Sequence, residues 1–349
     1  YGEAHPDIYI QHIGRMLDDF GVHGIPLGYG QDAPLAGGNE FPEGMRQSAN
    51  NFWGWPIPNA GKTYPARPAA ELMVELINAS PEPVTIFISG PCTNLAQALR
   101  LDQGIRENIA AVYIMGGAVN VDGNIDDLLA DTGNTTAEWN IYADPQAARE
   151  VFEAGLAIYL VPLDATNQVS VTQQDTAQWR LGGKIADFSA DIYDSLLNNW
   201  GTENAAVWDL MTAAIMVRPE LCGFEALALR VVTEDGKTSG QTALVPDMPP
   251  NATVCLKPDV ALINQTMIEV FSSQQLAQAA TLEPVSTSMP APVADVTATP
   301  ESLIFRDDFN SVLGPGWTWE NVNPARWSIT PDGWLQIMGE DTALLYGQM

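Results

Sequence analysis

The sequence predicts an α/β fold, an open and mainly parallel sheet flanked by helices, followed by a β-rich C-terminal segment. Three observations predict it. From residue 1 to about 275, short apolar runs alternate with stretches of helical periodicity, the pattern of strand–helix–strand units. Several of the apolar runs are continuous rather than alternating, as strands covered on both faces must be. Near residue 283 the composition changes: residues 283–300 (EPVSTSMPAPVADVTATP) are rich in Pro, Ser, Thr, Ala and Val without periodicity. The expected organisation is therefore an α/β domain over 1–275, a linker over 276–302, and the start of a β-sandwich over 303–349.

Taken in order, a helix is expected over 10–20 and a strand over 24–28. Residues 31–66 form a long loop with Phe52-Trp53-Gly54-Trp55 at its centre, and its aromatics argue for function over disorder. A helix over 68–79 precedes a continuous apolar strand over 84–89. Gly90-Pro91-Cys92-Thr93-Asn94 then turns the chain into a helix over 95–101. The cycle repeats with a strand over 111–115 ending in Gly116-Gly117, a helix over 146–154 and a strand over 158–163. Helices over 184–200 and 207–217 and β-like pieces over 227–232 and 242–245 complete the domain. In the last segment, Trp317, Trp319, Trp327 and Trp334 stand among Gly-Pro and Asp-Gly turns, which suggests a β-sandwich, possible glycan-stacking faces included.

Bulk properties exclude several function classes. With 15 Lys+Arg against 43 Asp+Glu, the net charge of −28 repels phosphate backbones, so nucleic acid is not an expected partner. No apolar stretch reaches the roughly 18 residues that suggest a membrane span. The first residue is Tyr1 rather than Met and the end lacks terminal character, so the chain reads as an internal part of a longer protein. Cys92, Cys222 and Cys255 do not make a metal spacing; the last two either pair in an exported protein or remain buried thiols. His5, His12 and His23 all lie near the start, which leaves the rest of the chain without a histidine base. No strand is followed by Gly-x-Gly-x-x-Gly, which argues against a dinucleotide oxidoreductase.

The most informative stretch is Gly133-Asn134-Thr135-Thr136-Ala137-Glu138-Trp139-Asn140, followed by Asp144-Pro145. If it is extended, Glu138 and Asn140 share a face, and a carboxylate beside a carboxamide suits the hydroxyls of a sugar. Asp144-Pro145 reads as an N-cap followed by proline at the first helical position.

Five motifs in order give these residues a context: Ser89-Gly90-Pro91-Cys92-Thr93-Asn94-Leu95, Met115-Gly116-Gly117, Gly123-Asn124, Ala137-Glu138-Trp139-Asn140 with Asp144-Pro145, and Trp208-Asp209. Over residues 1–275 the chain resembles the inosine/uridine-preferring nucleoside hydrolases. The resemblance implies hydrolysis of the N-glycosidic bond of ribonucleosides through an oxocarbenium-like transition state, with a bound calcium ion holding ribose and the attacking water. It implies Asp209 and the Thr93 carbonyl as metal ligands, with Asp209 also catalytic. It places Glu138, Asn140, Asn124 or the competing Asn134, and Met115 at the ribose.

Three departures qualify these expectations. The family's N-terminal Asp-rich motif (Asp-Thr-Asp-x-Gly-x-Asp-Asp) is absent, and Asp126-Asp127 and Asp307-Asp308 do not replace it. Since Gly2-Glu3-Ala4-His5 matches the region after the family's second strand, the motif is expected upstream of Tyr1, and residues 1–349 alone are expected to bind calcium poorly and not to catalyse. Trp208 stands where many relatives carry a histidine that protonates the base; its indole is no acid at neutral pH, and it is expected to stack on a purine with Trp53 or Trp55 opposite. Glu3 replaces a ribose-contacting asparagine, which bears on sugar preference. The expected partners are a ribonucleoside, a glycan on the C-terminal segment and further copies of the chain, in an extracellular or cell-envelope location. The alternative is a non-catalytic extracellular nucleoside- or glycan-binding protein on the same fold.

Overall fold

The computed structural model describes residues 1–36, 39–52, 63–129 and 132–272, and three short strands between 327 and 346. The chain divides into two compact units, Tyr1–Val285 and Ser286–Met349.

The first unit is built on a five-stranded sheet: β1 (Val84–Ile88), β2 (Ile109–Met115), β3 (Ile158–Val161), β4 (Cys222–Leu227) and β5 (Ala252–Pro258). Their spatial order is β1-β2-β3-β5-β4. All neighbours are parallel except β4, which runs antiparallel to β5 at the edge. The predicted mainly parallel α/β sheet is thus what forms.

Side-chain alternation explains the two cores. Val112 and Ile114 of β2 and Leu160 of β3 point into one, with Leu95, Ala96, Ile105 and Val151. Tyr113 and Val161, one residue out of phase, point into the other, with Val207, Met211, Ile215 and Trp179. A strand between two such cores is apolar throughout, and four successive residues of β2, Val112 to Met115, are buried. The expectation fails at β1, where Thr85 and Phe87 are exposed. As an edge strand of the five, it is covered on one face only.

Helix starts fall within a few residues of the expected ones, at Pro6–Asp19, Ala69–Ala79, Thr93–Leu101, Pro145–Glu153, Lys184–Trp200 and Trp208–Val217. The Asp144 carboxylate caps Pro145–Glu153 by accepting from the Ala147 N–H at 3.1 Å, as the sequence indicated. The strand expected over 24–28 shrinks to Gly28–Tyr29, paired in parallel with Arg67–Pro68 outside the main sheet. The β-like piece over 227–232 breaks at Ala228 into the end of β4 and a strand Leu229–Val231 that pairs with Thr242–Leu244.

Several elements were not foreseen, among them all but the last residue of β4, the strand β5 next to β3 within the sheet, and the helices Gln173–Trp179 and Val260–Ser272; the expected loop over 31–66 contains a further helix, Glu43–Asn50. The sequence of β5, Ala-Thr-Val-Cys-Leu-Lys-Pro, mixes polar and apolar residues and ends in proline, so no single period marks it. A disulfide joins Cys222 to Cys255, with 5.8 Å between their Cα atoms, and ties the antiparallel edge strand to its neighbour. Cys92 is a buried free thiol. In the second unit, Trp327–Ile329, Leu335–Met338 and Ala343–Tyr346 form an antiparallel three-stranded sheet.

The disulfide closes a loop of 33 residues, for which the chain-entropy account gives about 3–4 kcal/mol of stabilisation. Reductant, or the double replacement Cys222→Ser with Cys255→Ser, is expected to lower the urea midpoint correspondingly. A midpoint indifferent to reductant would show that the bridge contributes nothing.

Candidate active site

Parallel strands deliver their carboxyl ends to one edge of the sheet, and several of the residues singled out in the sequence, Met115, Glu138 and Asn140 among them, lie there. β2 ends at Met115, and Gly117 follows at φ +83, a left-handed conformation that favours glycine. Its N–H donates to Glu138 Oε2 at 2.9 Å. The same carboxylate accepts from the N–H groups of Asn140 at 2.9 Å and Ile141 at 3.2 Å. Glu138 is therefore the N-cap of a short helix, Trp139–Ala143, and simultaneously fastens that helix to the end of β2.

This corrects the extended reading of the segment. Glu138 is extended, with φ −90 and ψ 152, but Asn140 lies in the first helical turn. The pair is brought together by capping, because the unpaired N–H groups of the helix start attract the carboxylate back onto them. Asn140 Nδ2 donates to the Met115 carbonyl at 3.2 Å, so both residues are docked on the end of the strand. Asn140 Oδ1 has no partner among the described residues.

The neighbouring loops are held by two further buried acids. Asp144 Oδ2 accepts from the Thr93 hydroxyl at 2.6 Å and the Leu35 N–H at 2.9 Å. Asp164, after β3, accepts from the Val119 and Asn120 N–H groups, both at 2.8 Å. Thr93 is thus the first residue of its helix, with its hydroxyl committed to Asp144, rather than a free turn residue after the strand.

Asn124 Oδ1 accepts from the Trp139 N–H at 3.0 Å, while its Nδ2 has no partner among the described residues. Gly123 makes this approach possible, since a Cβ there would lie 2.1 Å from the Ala137 carbonyl oxygen. Asn134, the competing candidate, is 1% exposed and internally committed. Its Oδ1 accepts from the N–H groups of Thr136 and Ala137, and its Nδ2 donates to the Ser239 carbonyl. It shapes the loop, as an asparagine in a turn does, and its carboxamide is not presented to a ligand.

Three carboxylates face one another electrostatically. Glu138 is fully buried; burial pushes its pKa up to about 7, against the pull of its three N–H donors, and Glu3 adds repulsion. Burial also raises Glu3, which accepts from the Trp139 indole N–H. Asp209, in the first turn of Trp208–Val217, is reached by solvent yet ringed by protein; that enclosure lifts its pKa to about 7, with Glu138 and Glu3 contributing. Trp208 beside it is half-buried against Met115, Ala118 and Leu163. Trp53 and Trp55 lie outside the described residues.

Two phenols missed in the sequence, Tyr9 and Tyr193, sit in the field of Asp209. No motif marks them, because helical tyrosines read as core.

A calcium ion takes six to eight oxygens. Among the described residues no three Asp, Glu, His or Cys side chains are grouped to hold a metal. Asp209 and the Thr93 carbonyl remain as two donors, so the described residues alone do not fit the ion.

The inosine-uridine preferring nucleoside hydrolase family matches residues 1–265. The chain belongs to this family. A pyrimidine-specific ribonucleoside hydrolase RihA of Citrobacter koseri is 31% identical over 270 residues, covering 74% of this chain and 83% of that protein. Its counterpart in Salmonella newport is 34% identical over 282 residues, with the same coverage. Among solved structures, a purine-preferring ribonucleoside hydrolase from Gardnerella vaginalis superposes with a TM-score of 0.69 at 23% identity, over 80% of this chain and 89% of that one. An inosine-uridine preferring nucleoside hydrolase from Bacillus anthracis gives 0.64 at 25%, over 78% and 87%. As a member of the nucleoside hydrolases, the protein is an enzyme of nucleoside hydrolysis.

Within that family fold, the Glu138 cap makes a direct prediction. Glu138→Gln turns an amide N–H₂ toward groups that are themselves donors, and is expected to lower stability by about 1–3 kcal/mol. Urea denaturation reads the change, and an unaltered midpoint would contradict the capping role.

Proposed function

We propose that the full-length protein cleaves ribonucleosides to ribose and free base at the carboxyl edge of the sheet, with calcium bound. The observation that carries the reading is the convergence of Glu138, Glu3 and Asp209 with no opposing Lys or Arg paired to them among the described residues. Cleavage builds positive charge on the ribose ring, and fixed carboxylates stabilise that charge more than they stabilise the neutral substrate.

The chain's own groups suit ribose. Asn140 Oδ1 and Asn124 Nδ2 are an uncommitted acceptor and donor, and Glu138 Oε1 takes only one N–H, which leaves a lone pair for a hydroxyl. Calcium enters as the family's expectation, with Asp209 and the Thr93 carbonyl as the described donors. The expected weak calcium binding and lack of turnover of residues 1–349 alone is read by comparing them with the full-length protein.

Trp208 offers the base a stacking face. A purine gains more contact area there than a pyrimidine, which is the ground for proposing purine preference; the two curated relatives carry pyrimidine-specific names. Secretion, association into oligomers and glycan binding by the C-terminal unit complete the proposal, and the Cys222–Cys255 bridge supports the first.

Release of free ribose from inosine and uridine tests the reading. Asp209→Ala is expected to reduce it by about 100-fold or more, and a chelator to abolish it. Activity insensitive to chelator would remove the metal role, and nucleoside binding without turnover would favour a binding protein. Trp208→Ala is expected to cost inosine about tenfold and uridine much less; equal losses would refute purine stacking.

A further inference from the structure

β2 ends at Met115, and the turn that follows it has no strand ladder to satisfy its backbone. A side chain distant in sequence supplies the missing partners. The Thr242 hydroxyl accepts from the Ala118 N–H at 3.0 Å and donates to the Ala118 carbonyl at 2.8 Å. A hydroxyl has one proton to give, so this donor is spent there. Thr242 is 1% exposed, which keeps water from competing for either group. Two bonds to the two sides of one residue fix both peptide planes that meet at Ala118.

The pinned residue adjoins the site. Gly117, one residue earlier, donates its N–H to Glu138 Oε2 at 2.9 Å, and its carbonyl accepts from the Leu163 N–H at 2.9 Å. Thr242 covers the space where a side chain of residue 117 would stand: a Cβ there would lie 3.1 Å from both its Cγ2 and its Oγ1. Ala118 itself packs with Met115 and Leu163, and Trp208 lies against them. The rest of the turn has anchors of its own, because Asp164 takes the Val119 and Asn120 N–H groups, both at 2.8 Å. Thr242 also keeps its backbone pairing with Val231 whatever its side chain. Loss of the hydroxyl therefore releases Ala118 and, with it, the adjoining Gly117 N–H, while the turn as a whole stays in place.

We propose that Thr242 is a positioning residue for the reaction: by pinning Ala118 it holds the Gly117 N–H at the angle that orients the Glu138 carboxylate toward the ribose. The inference rests on the ribonucleoside hydrolase reading above, in which Glu138 acts on the sugar. Thr242 touches no substrate and transfers no proton. What it supplies is the preorganisation of a charge that acts chiefly in the transition state, so its loss falls on kcat and not on KM.

The test uses the full-length protein with inosine and uridine, which share the ribose and differ in the base. Thr242→Val keeps the shape and removes the hydroxyl; Thr242→Ser keeps the hydroxyl. In Thr242→Val, kcat is expected to fall about tenfold for both nucleosides at an unchanged KM. In Thr242→Ser it is expected to stay within about threefold of the unaltered protein. A residue that only stabilises the fold leaves kcat unchanged in folded protein, so an unchanged kcat in Thr242→Val overturns the proposal. An equal loss in Thr242→Ser also overturns it, since the methyl group and not the hydroxyl would then act. So does a loss confined to inosine, which would assign Thr242 to the wall beneath Trp208. Circular dichroism checks that each variant folds. Should Thr242→Val not fold, Thr242→Ala carries the same expectation, and failure of both to fold overturns the proposal in favour of a purely structural role. If the unaltered protein releases ribose from neither nucleoside, the hydrolase reading fails and the proposal with it, an outcome distinct from turnover at an unchanged kcat.

Discussion

The grip of the Glu138 carboxylate on three backbone N–H groups fixes the geometry at the end of β2. It caps Trp139–Ala143 and fastens that helix to Gly117, so the end of β2 and the helix move as one body. Asn140, Trp139 and, through Trp139, Glu3 take their positions from it. A buried carboxylate is costly unless it is hydrogen-bonded, and the three donors are what makes it tolerable. They do not restore an ordinary acidity, since burial still pushes the carboxyl's pKa up to about 7. Burial outweighs the hydrogen bonds.

The same solution recurs in the adjoining loops. Beyond the last residue of a strand there is no ladder to satisfy the backbone, so side chains must do it. Asp144 joins the Thr93 turn, Leu35 and the helix Pro145–Glu153. Asp164 joins the loop after β3 to the one after β2. Part of the chain's acidity is therefore internal fastening at one edge of one sheet, which a net charge alone does not reveal.

How much of this was legible follows from the range of each interaction. Strands of the parallel sheet and their helices were visible because continuous apolar runs and 3.6-residue periodicity are local signals. The Asp144 cap was visible because its partner lies three residues away. β5 was not, since its polar residues are tolerated through pairing on both sides with strands far away in sequence. At the site, motif order marked Glu138, Asn140, Asn124, Thr93 and Asp209 as belonging together. It could not separate Asn124 from Asn134, because both follow a glycine and only the distant Ser239 carbonyl reveals that Asn134 is occupied.

Of the three acids at the site only Glu138 is buried, and no cation is paired with it among the described residues. Arg46 is the nearby buried cation, and it is spent on Asp32 and the Ala4 carbonyl and packed over the Tyr1 ring. Among the described residues no Lys or Arg is paired with Glu3, Glu138 or Asp209; Glu3 raises the ionisation cost of Glu138, and both raise that of Asp209. Stability alone would favour apolar residues there, since unpaired buried charge is destabilising. In the proposed function a cation held at Asp209 and the charge that develops on the ribose are the positive partners of these acids. A ribose ring that becomes cationic as its base departs finds the field already in place, with no reorganisation needed at that moment.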